Sequence, residues 1–325
     1  MISVIIPTYR RLHLLKRAVA CVYAQSFTDW ELILSSDDPD DAETWRYLQG
    51  LAAEDARVRI ALNAGPHGQA GNVNNCLKRV RGDWVKPLYD DDVMLPDCLA
   101  VMEAAVRRFP DIVMAGCLAR HFRDGKLVKV DRAAARAPIE IVNQRHAHLA
   151  MYLQDLECGG IPTDMLINAR AIRAGAIMPD DPRYASAVDQ LWFAEILRHG
   201  DRLHLPVVLV EEHQGAHESV TRSASREGLD RDNILVREYL YSLIPSDVAR
   251  PPLPVVRDMV MGIRGLHRLF GRQFAEGFRL LFSIRRVSAV GLAGKWLLRM
   301  CFPGYFPATP RLRYKSGVYP AERTT

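Results

Sequence analysis

Short apolar runs alternate with helix-like segments through the first hundred residues, and this alternation constrains the fold more than any other feature. The apolar runs of strand length lie at residues 3–6, 30–34, 58–62 and 84–88. Amphipathic stretches of helical period follow the first three runs. Strands that alternate with helices through short loops predict a largely parallel α/β sheet.

Polar or turn-forming residues come directly after each of these runs. They occupy positions 7–9, 36–38, 63–65 and 90–92. In a parallel α/β sheet, ligands bind beyond the carboxyl ends of the strands. These four segments therefore predict one binding site at a single edge of the sheet.

The pattern is less regular after residue 110. Strands are predicted near 112–117, 126–130 and 202–210, and a helix over 188–199. Beyond residue 225 the chain has helical periodicity throughout, with a proline-rich break at 251–254 that predicts an appendage. We divide the chain into residues 1–105, 106–224 and 225–325.

Cysteines and apolar segments bear on where the protein works. The six cysteines are scattered, without the CxxC pairs of zinc sites or a disulfide framework, so reduced thiols in a cytosolic protein are expected. No uninterrupted apolar run approaches the roughly 18–20 residues that span a bilayer. The first residues lack the charged leader and cleavage site of a signal peptide. We therefore expect a cytoplasmic protein.

Charge is distributed unevenly. The chain has 43 Lys and Arg against 38 Asp and Glu. Residues 251–325 hold 13 Lys and Arg and 3 Asp and Glu, a net +10, which leaves 30 and 35, a net −5, for residues 1–250. A basic C-terminal quarter suits anionic lipid or nucleic acid, and charge alone does not separate these partners.

Three adjacent acids, Asp90, Asp91 and Asp92, follow the fourth apolar run. Adjacent carboxylates repel one another, and burying them is costly unless a cation neutralises them. Alternate carboxylates can meet one hard cation that keeps positions free for phosphate oxygens. The alternative is a solvated acidic turn, but the position at a strand end favours a site.

A second acidic loop follows the second run. Asp40 and Asp41 suit the N-cap of the next helix, whereas Asp37 suits a hydrogen bond to a nucleotide base or ribose. Glycines at 65, 68 and 71 either let the backbone approach a ligand or shape a loop. Their spacing is neither that of GxGxxG nor that of a P-loop, which argues against nicotinamide cofactors and ATP hydrolysis.

Several blocks in the same order carry a family resemblance. They are SVIIPTY at 3–9, QSFTDWELI at 25–33, NAG at 63–65, Asn74, GDWV at 82–85 and DDDVMLPD at 90–97. Together they resemble the family 2 glycosyltransferases, densely over residues 1–100, weakly to about 222 and not beyond. The resemblance implies an inverting enzyme with the GT-A fold, a Rossmann-like mixed α/β sheet flanked by helices, here with a C-terminal helical appendage.

The resemblance also implies a nucleotide-sugar site in residues 1–105. Pro7, Thr8 and Tyr9 would line the base and ribose pocket, and Asp37 would hold the base. The further donor contacts are expected from Arg11, Asn63, Gly65, Asn74, Asp90 and Asp91. Ser36 stands where the family commonly has an acid, and Val73 where it often has an arginine, so the donor contacts depart from the family pattern there.

The implied cofactor is Mn²⁺ or Mg²⁺ on the diphosphate. Asp92 and Asp90 would be its ligands, with Asp91 a further candidate, and His217 would complete the set. A surface histidine is the alternative for His217.

Residues 106–224 would bind the acceptor and supply the base. Asp189 matches the family's catalytic block, although an acid at the start of a helix is often only a cap. The loop at 158–164 falls where the family contacts the acceptor.

The C-terminal segment 261–300 mixes phenylalanines and leucines with arginines. This composition favours a helix lying on an anionic membrane. A helix packed on the catalytic domain and an oligomer contact are the alternatives. Nucleic acid is not expected, because no reading module accompanies the charge.

The sequence therefore predicts transfer of a sugar, from a UDP-sugar first, to a hydroxyl of a glycan or lipid-linked glycan, with Asp189 as general base. The protein would be cytoplasmic or peripheral on the inner face of the membrane. Two rivals remain. One is a nucleotidyltransferase, disfavoured because no glycine-rich, lysine-bearing loop follows the first strand; the other is a non-catalytic sugar-nucleotide-binding module.

Overall fold

The computed structural model describes residues 1–131, 138–153, 160–184, 186–215, 226–301, 310 and 312–314. Strands and helices alternate in its first part, as predicted. The elements are β1 (Ile2–Thr8), α1 (Leu12–Tyr23), β2 (Trp30–Ser36), α2 (Ala42–Glu54), β3 (Val58–Leu62), α3 (Gln69–Leu77) and β4 (Trp84–Pro87).

The middle of the chain adds strands in both directions. Its elements are β5 (Val93–Met94), α4 (Cys98–Val106), β6 (Ile112–Arg123), β7 (Lys126–Val130), β8 (Ile139–Val142), α5 (Gln144–Tyr152), β9 (Met165–Asn168), α6 (Ala169–Arg173), α7 (Val188–Ile196) and β10 (Asp201–Gln214). Short 3-10 helices lie at Pro162–Asp164 and Pro182–Tyr184. The predicted strands 112–117 and 202–210 are longer than expected, and β8 and β9 were not predicted.

One mixed sheet joins the described strands. With β11 formed by Leu312–Tyr314 near the C-terminus, its order is β11-β8-β10-β6-β9-β4-β1-β2-β3, with β5 pairing to β10 and β7 to β6. Strands β3, β2, β1 and β4 are parallel to one another, and β9 runs antiparallel to β4. The four parallel strands therefore end at the same edge, which fulfils the condition for the predicted site.

Both faces of the parallel part are covered. Val4 and Ile6 belong to one buried apolar cluster, and Ile5 between them belongs to the other. Successive side chains of a strand point to opposite faces. A continuous apolar run is thus required here, because helices pack on each face of the sheet.

The C-terminal part is packed onto the sheet domain rather than separate from it. It comprises α8 (Arg226–Leu243), α9 (Leu253–Phe270), α10 (Phe274–Phe282), α11 (Val287–Cys301) and β11 (Leu312–Tyr314). Val236 of α8 and Met259 of α9 are buried in the same cluster as Trp192 of α7. The expectation of helix throughout is corrected by β11, which pairs with β8. The bounds of the three parts remain predictions.

Two sequence expectations can be compared directly with the described residues. Cys21, Cys76, Cys98 and Cys117 are free, buried thiols, as predicted. Among the described helices, none combines the length and hydropathy that a bilayer-spanning segment requires.

Candidate active site

Thr8 and Arg11 meet Asp90 where β1 and β4 end side by side. The Thr8 hydroxyl donates to Asp90 Oδ2 over 2.7 Å. The Arg11 guanidinium, at the start of α1, lies 2.7 Å from Asp90 Oδ1 and 3.3 Å from Asp91 Oδ2. Burial nevertheless raises the pKa of Asp90 to about 6, with Arg11 opposing the rise. Arg11, predicted to touch the donor, is thus the residue that orients two of the acids.

Asp92 is buried and held at both oxygens from the second half of the chain. The Thr163 hydroxyl donates to Oδ2 over 2.6 Å, and the backbone N–H of His213 donates to Oδ1 over 2.9 Å. Burial raises the pKa of Asp92 well above its usual range, and the Asp91 charge adds to the rise. The carboxylate is therefore fixed in orientation and unfavourable to ionise without a cation beside it.

Thr163 belongs to the loop at 158–164 that was predicted to meet the acceptor. Residues 158 and 159 lie outside the described residues, and Pro162–Asp164 forms a 3-10 helix. Besides binding Asp92, the Thr163 Oγ1 accepts the backbone N–H of Tyr89 over 3.2 Å. Buried Lys86 donates to the Thr163 carbonyl. The loop is thus tied to the residues just before and within the acidic cluster.

Asp37 follows β2 and organises the loop after β3. It accepts the Asn63 amide N–H over 2.6 Å at Oδ1 and the Gly68 N–H over 2.6 Å at Oδ2, and His67 Nδ1 lies 3.1 Å away. Gly65 has a φ of +112° within this loop, a conformation that side-chain-bearing residues rarely adopt. Asp37 and Asn63 lie at the predicted edge, and their contact with a base stays a prediction.

The glycine after this loop is explained by packing. A Cβ on Gly71 would lie 1.8 Å from the carbonyl oxygen of Pro66. Of the two interpretations open from sequence, loop shaping is the one that the structure supports at this position. Asp41 is the N-cap of α2, where it accepts the Thr44 N–H over 3.0 Å, as predicted.

Asn72 and Asn74 differ in what they contact. The amide of Asn74 exchanges hydrogen bonds with the backbone of Met178, at 2.8 and 3.0 Å. Asn72, not singled out from sequence, donates to the carbonyls of Thr8 and Ser35, both at 3.1 Å. It therefore joins the ends of β1 and β2 beneath the predicted pocket. In the sequence, the feature that could have indicated this role for Asn72 is its position one helical turn after Gly68.

Pro7 and Tyr9 flank Thr8 at the end of β1. Pro7 is buried within the strand, whereas Tyr9 is 47% exposed and has the Arg10 guanidinium 5.2 Å from its ring centroid. Tyr9 is therefore free to stack on a ligand. His217, predicted as a metal ligand, lies outside the described residues.

Asp189 lies in the first turn of α7 and is not its cap. The N-cap is Ala187, and the half-buried Asp189 carboxylate accepts the Gln190 N–H over 3.2 Å. Desolvation raises the pKa of Asp189 to about 6, and hydrogen bonds from the backbone oppose the rise. The Asp189 charge also contributes, after burial, to the raised pKa of Tyr89. Since Tyr89 precedes Asp90, the Asp189 carboxylate lies within electrostatic reach of the residue that leads into the acidic cluster.

Helix α8 supports the start of α7. Asp232 accepts the backbone N–H of Ser186 over 3.1 Å and its hydroxyl over 2.7 Å. Buried Arg237 donates to the Gln190 side chain over 3.1 Å. These contacts were not predicted, because α8 lies beyond the family resemblance. They give the C-terminal part a role in placing Asp189.

The carboxylate oxygens of the acidic cluster fit a hard divalent cation as ligands. Carboxylate oxygens are its preferred ligands, and a cation would offset the cost of ionising buried Asp90 and Asp92. Within the described ranges, no three His, Cys, Asp or Glu side chains converge on a common point.

Comparison with solved structures identifies the class to which this fold belongs. The chain superposes on S. aureus TarS 1–349 in complex with UDP-GlcNAc with a TM-score of 0.60 at 15% identity, over 90% of this chain and 78% of that one. It also superposes on the mannosyltransferase PcManGT of Pyrobaculum calidifontis, in complex with GDP-Man and Mn²⁺, with a TM-score of 0.51 at 15% identity, over 92% and 80%. The sheet and its helices are those of the GT-A fold, as predicted.

The sequence comparisons define the family. The profile for glycosyl transferase family 2 matches residues 3–174, more than half of the chain. The protein belongs to this family. It is 34% identical over 129 residues to the GalNAc(5)-diNAcBac-PP-undecaprenol beta-1,3-glucosyltransferase of Campylobacter jejuni. That alignment covers 39% of this chain and 41% of the relative's length.

Proposed function

We propose that the protein transfers a sugar from a UDP-sugar to a hydroxyl of a lipid-linked glycan with inversion at the anomeric carbon. The observation that carries this proposal is that Asp189, in the first turn of α7, has a pKa raised to about 6 and acts electrostatically on Tyr89, the residue before the acidic cluster. Such a carboxylate is ionised at neutral pH and basic enough to take a proton in the transition state.

Asp189 is the general base in this mechanism. It accepts the proton of the acceptor hydroxyl while the acceptor oxygen attacks the anomeric carbon. The new C–O bond forms on one face as the bond to the β-phosphate oxygen breaks on the other, and its electron pair leaves with UDP. Attack opposite the leaving group inverts the anomeric centre.

The acidic cluster and the strand ends hold the donor. Asp92 and Asp90, with His217 as a further ligand, would bind Mn²⁺ or Mg²⁺, which would stabilise the charge on the departing diphosphate. Thr8, Tyr9, Asp37 and Asn63 would line the base and ribose pocket, with Pro7, Gly65, Asn74 and Asp91 as the remaining donor contacts. Arg11 orients Asp90 and Asp91.

Similar proteins support the choice of substrates. The Campylobacter relative is named for transfer of glucose to a glycan on diphosphoundecaprenol, and TarS was solved with UDP-GlcNAc. We accordingly propose an acceptor carried on a polyprenyl diphosphate, in polysaccharide assembly. The acceptor would enter between Asp189 and the loop that contains Thr163.

Product analysis tests this proposal. The protein is incubated with UDP-glucose, UDP-GlcNAc or GDP-mannose, polyprenyl-diphosphate-linked sugars and Mn²⁺. UDP release that requires the acceptor is the expected result, with release by Asp189→Asn lowered about 10²–10⁴-fold and normal release by the exposed control Asp111→Asn. Release of pyrophosphate would indicate a nucleotidyltransferase. UDP-sugar binding without turnover by any acceptor would indicate a binding module.

A further inference from the structure

Four phenylalanines are exposed at the end of α9 and along α10. Phe270 at the end of α9 is 75% exposed, and Phe274, Phe278 and Phe282 of α10 are 58%, 48% and 84% exposed. Large apolar side chains gathered at one place on a surface mark an interaction site. We call these four residues the phenylalanine tip.

The packing of α9 against α10 determines this exposure. A Cβ on Gly277 would lie 2.7 Å from Leu269 Cδ2, and one on Gly265 would lie 3.0 Å from the Gly277 carbonyl. The two glycines let the helices cross closely, and Leu280 is buried in the same contact face. Phe274, Phe278 and Phe282, spaced by four residues, therefore form a stripe outside this contact face.

Unpaired arginines accompany the phenylalanine tip. Arg272, Arg279 and Arg285 are exposed, and in the described part of the chain none forms an ion pair with an acidic side chain. Arg268 and Arg286, in contrast, pair with Glu276 and Asp258. Residues 261–300 contain eight Lys and Arg and one Glu. The surface around the phenylalanine tip is thus both apolar and strongly positive.

We propose that the phenylalanine tip docks on an anionic lipid bilayer. The phenylalanine rings would enter the boundary between headgroups and acyl chains, and Arg272, Arg279 and Arg285 would contact lipid phosphates. A second copy of the chain fits less well, because a symmetric contact through this patch would place arginines against arginines. The docking does not depend on the catalytic chemistry. Its benefit, a site held beside a lipid-linked acceptor, rests on the proposed function.

Vesicle co-sedimentation of the full chain tests the docking. The vesicles are equimolar phosphatidylglycerol and phosphatidylcholine, or phosphatidylcholine alone. Binding to the anionic vesicles should be at least about tenfold tighter and should weaken with salt. Phe278→Ser with Phe282→Ser should weaken it about tenfold, and so should Arg272→Gln with Arg279→Gln.

Leu127→Ser with Val128→Ser is the matched control, since these residues of β7 are 53% and 56% exposed. This variant should bind vesicles as the wild type does. Absence of vesicle binding by the wild type, or equal loss in the control, would overturn the proposal. A dimer in solution that the phenylalanine substitutions dissociate, without vesicle binding, would assign the tip to a second copy instead.

A readout without vesicles separates this proposal from the catalytic one. UDP release with a water-soluble acceptor should be the same in the wild type and in the phenylalanine and arginine variants. Vesicle binding by a protein that never releases UDP would leave the docking intact and refute the proposed function. Release of UDP by a protein that does not bind vesicles would support the proposed function and refute the docking.

Discussion

The acidic cluster after β4 and the first turn of α7 both hold desolvated carboxylates, but they hold them differently. Asp90 and Asp92 accept hydrogen bonds from Thr8, Thr163 and His213, and Arg11 lies against Asp90. Asp189 accepts the N–H of its neighbour Gln190. Several donors that fix a carboxylate suit a ligand of a cation, whereas a raised pKa of about 6 with little restraint suits a proton acceptor.

This difference indicates that the acidic cluster and Asp189 have different functions. The cluster is anchored from β1, α1, the 162–164 helix and β10, so its geometry depends on several distant segments. Asp189 depends on the position of one helix start, which α8 secures through Asp232. Substitutions in the two regions should therefore change different kinetic parameters.

The largest effect is expected from Asp189→Asn. The amide keeps the shape of the side chain but cannot accept the proton, so kcat should fall by about 10²–10⁴-fold. UDP-sugar binding, followed by the thermal shift on adding UDP and Mn²⁺, should be unchanged. A variant that keeps its kcat would show that another group is the base and would remove the distinction between the two regions.

Asp92→Asn should have the next largest effect, and it should act on metal use. Loss of the charge should lower kcat/KM by about 10²-fold at limiting Mn²⁺, because the cation would stabilise the leaving diphosphate. The stabilisation of the protein by UDP should also lose its dependence on Mn²⁺. Equal UDP shifts with and without the metal in the wild type would contradict the assignment of the cluster.

Thr163→Ala removes the hydroxyl that orients Asp92. Partners that orient a ligand typically contribute about 10–100-fold to metal affinity or activity, so the Mn²⁺ concentration for half-maximal activity should rise by that factor. Thr163→Ser, which keeps the donor, should restore most of the affinity. If Thr163→Ser and Thr163→Ala raise the Mn²⁺ concentration for half-maximal activity equally, Thr163 acts through packing of its methyl group.

The pH profile separates the two regions further. Asp189 must be ionised to act, so kcat/KM should fall about tenfold per pH unit below its pKa of about 6 and level off above it. Binding of UDP with Mn²⁺ is measured over the same range. If binding alone follows the profile, the titrating group belongs to the acidic cluster, where the pKa of Asp90 is also about 6.

Ser186→Ala should have the smallest effect. It removes one hydroxyl donor to Asp232, so the free energy of unfolding should fall by about 1 kcal/mol and kcat by only a few-fold, with KM for the donor unchanged. The exposed Ser288→Ala is the control and should alter neither quantity. A changed donor KM would mean that α8 also supports the nucleotide pocket.

Local pattern was enough to predict the parallel strands and the acids at their ends. The runs at β1 and β2 are apolar because helices cover both faces of the sheet, and the predicted binding residues follow the strands because parallel strands end at one edge. The ordered blocks from residue 3 to residue 97 then indicated the family, which the comparison confirms. Asp189 could also be predicted from the sequence, because it lies in a segment that resembles the family's catalytic block.

Tertiary structure alone decided which residues hold these acids. Thr163 and His213 lie 71 and 121 residues from Asp92, and Ser186 lies 46 from Asp232. Nothing in the local sequence marks such partners, since the pairing depends on how β4, β9 and β10 come together in one sheet. The same holds for the phenylalanine tip: period and charge predicted an amphipathic segment, but the close crossing at Gly265 and Gly277 determined which side of α10 faces solvent.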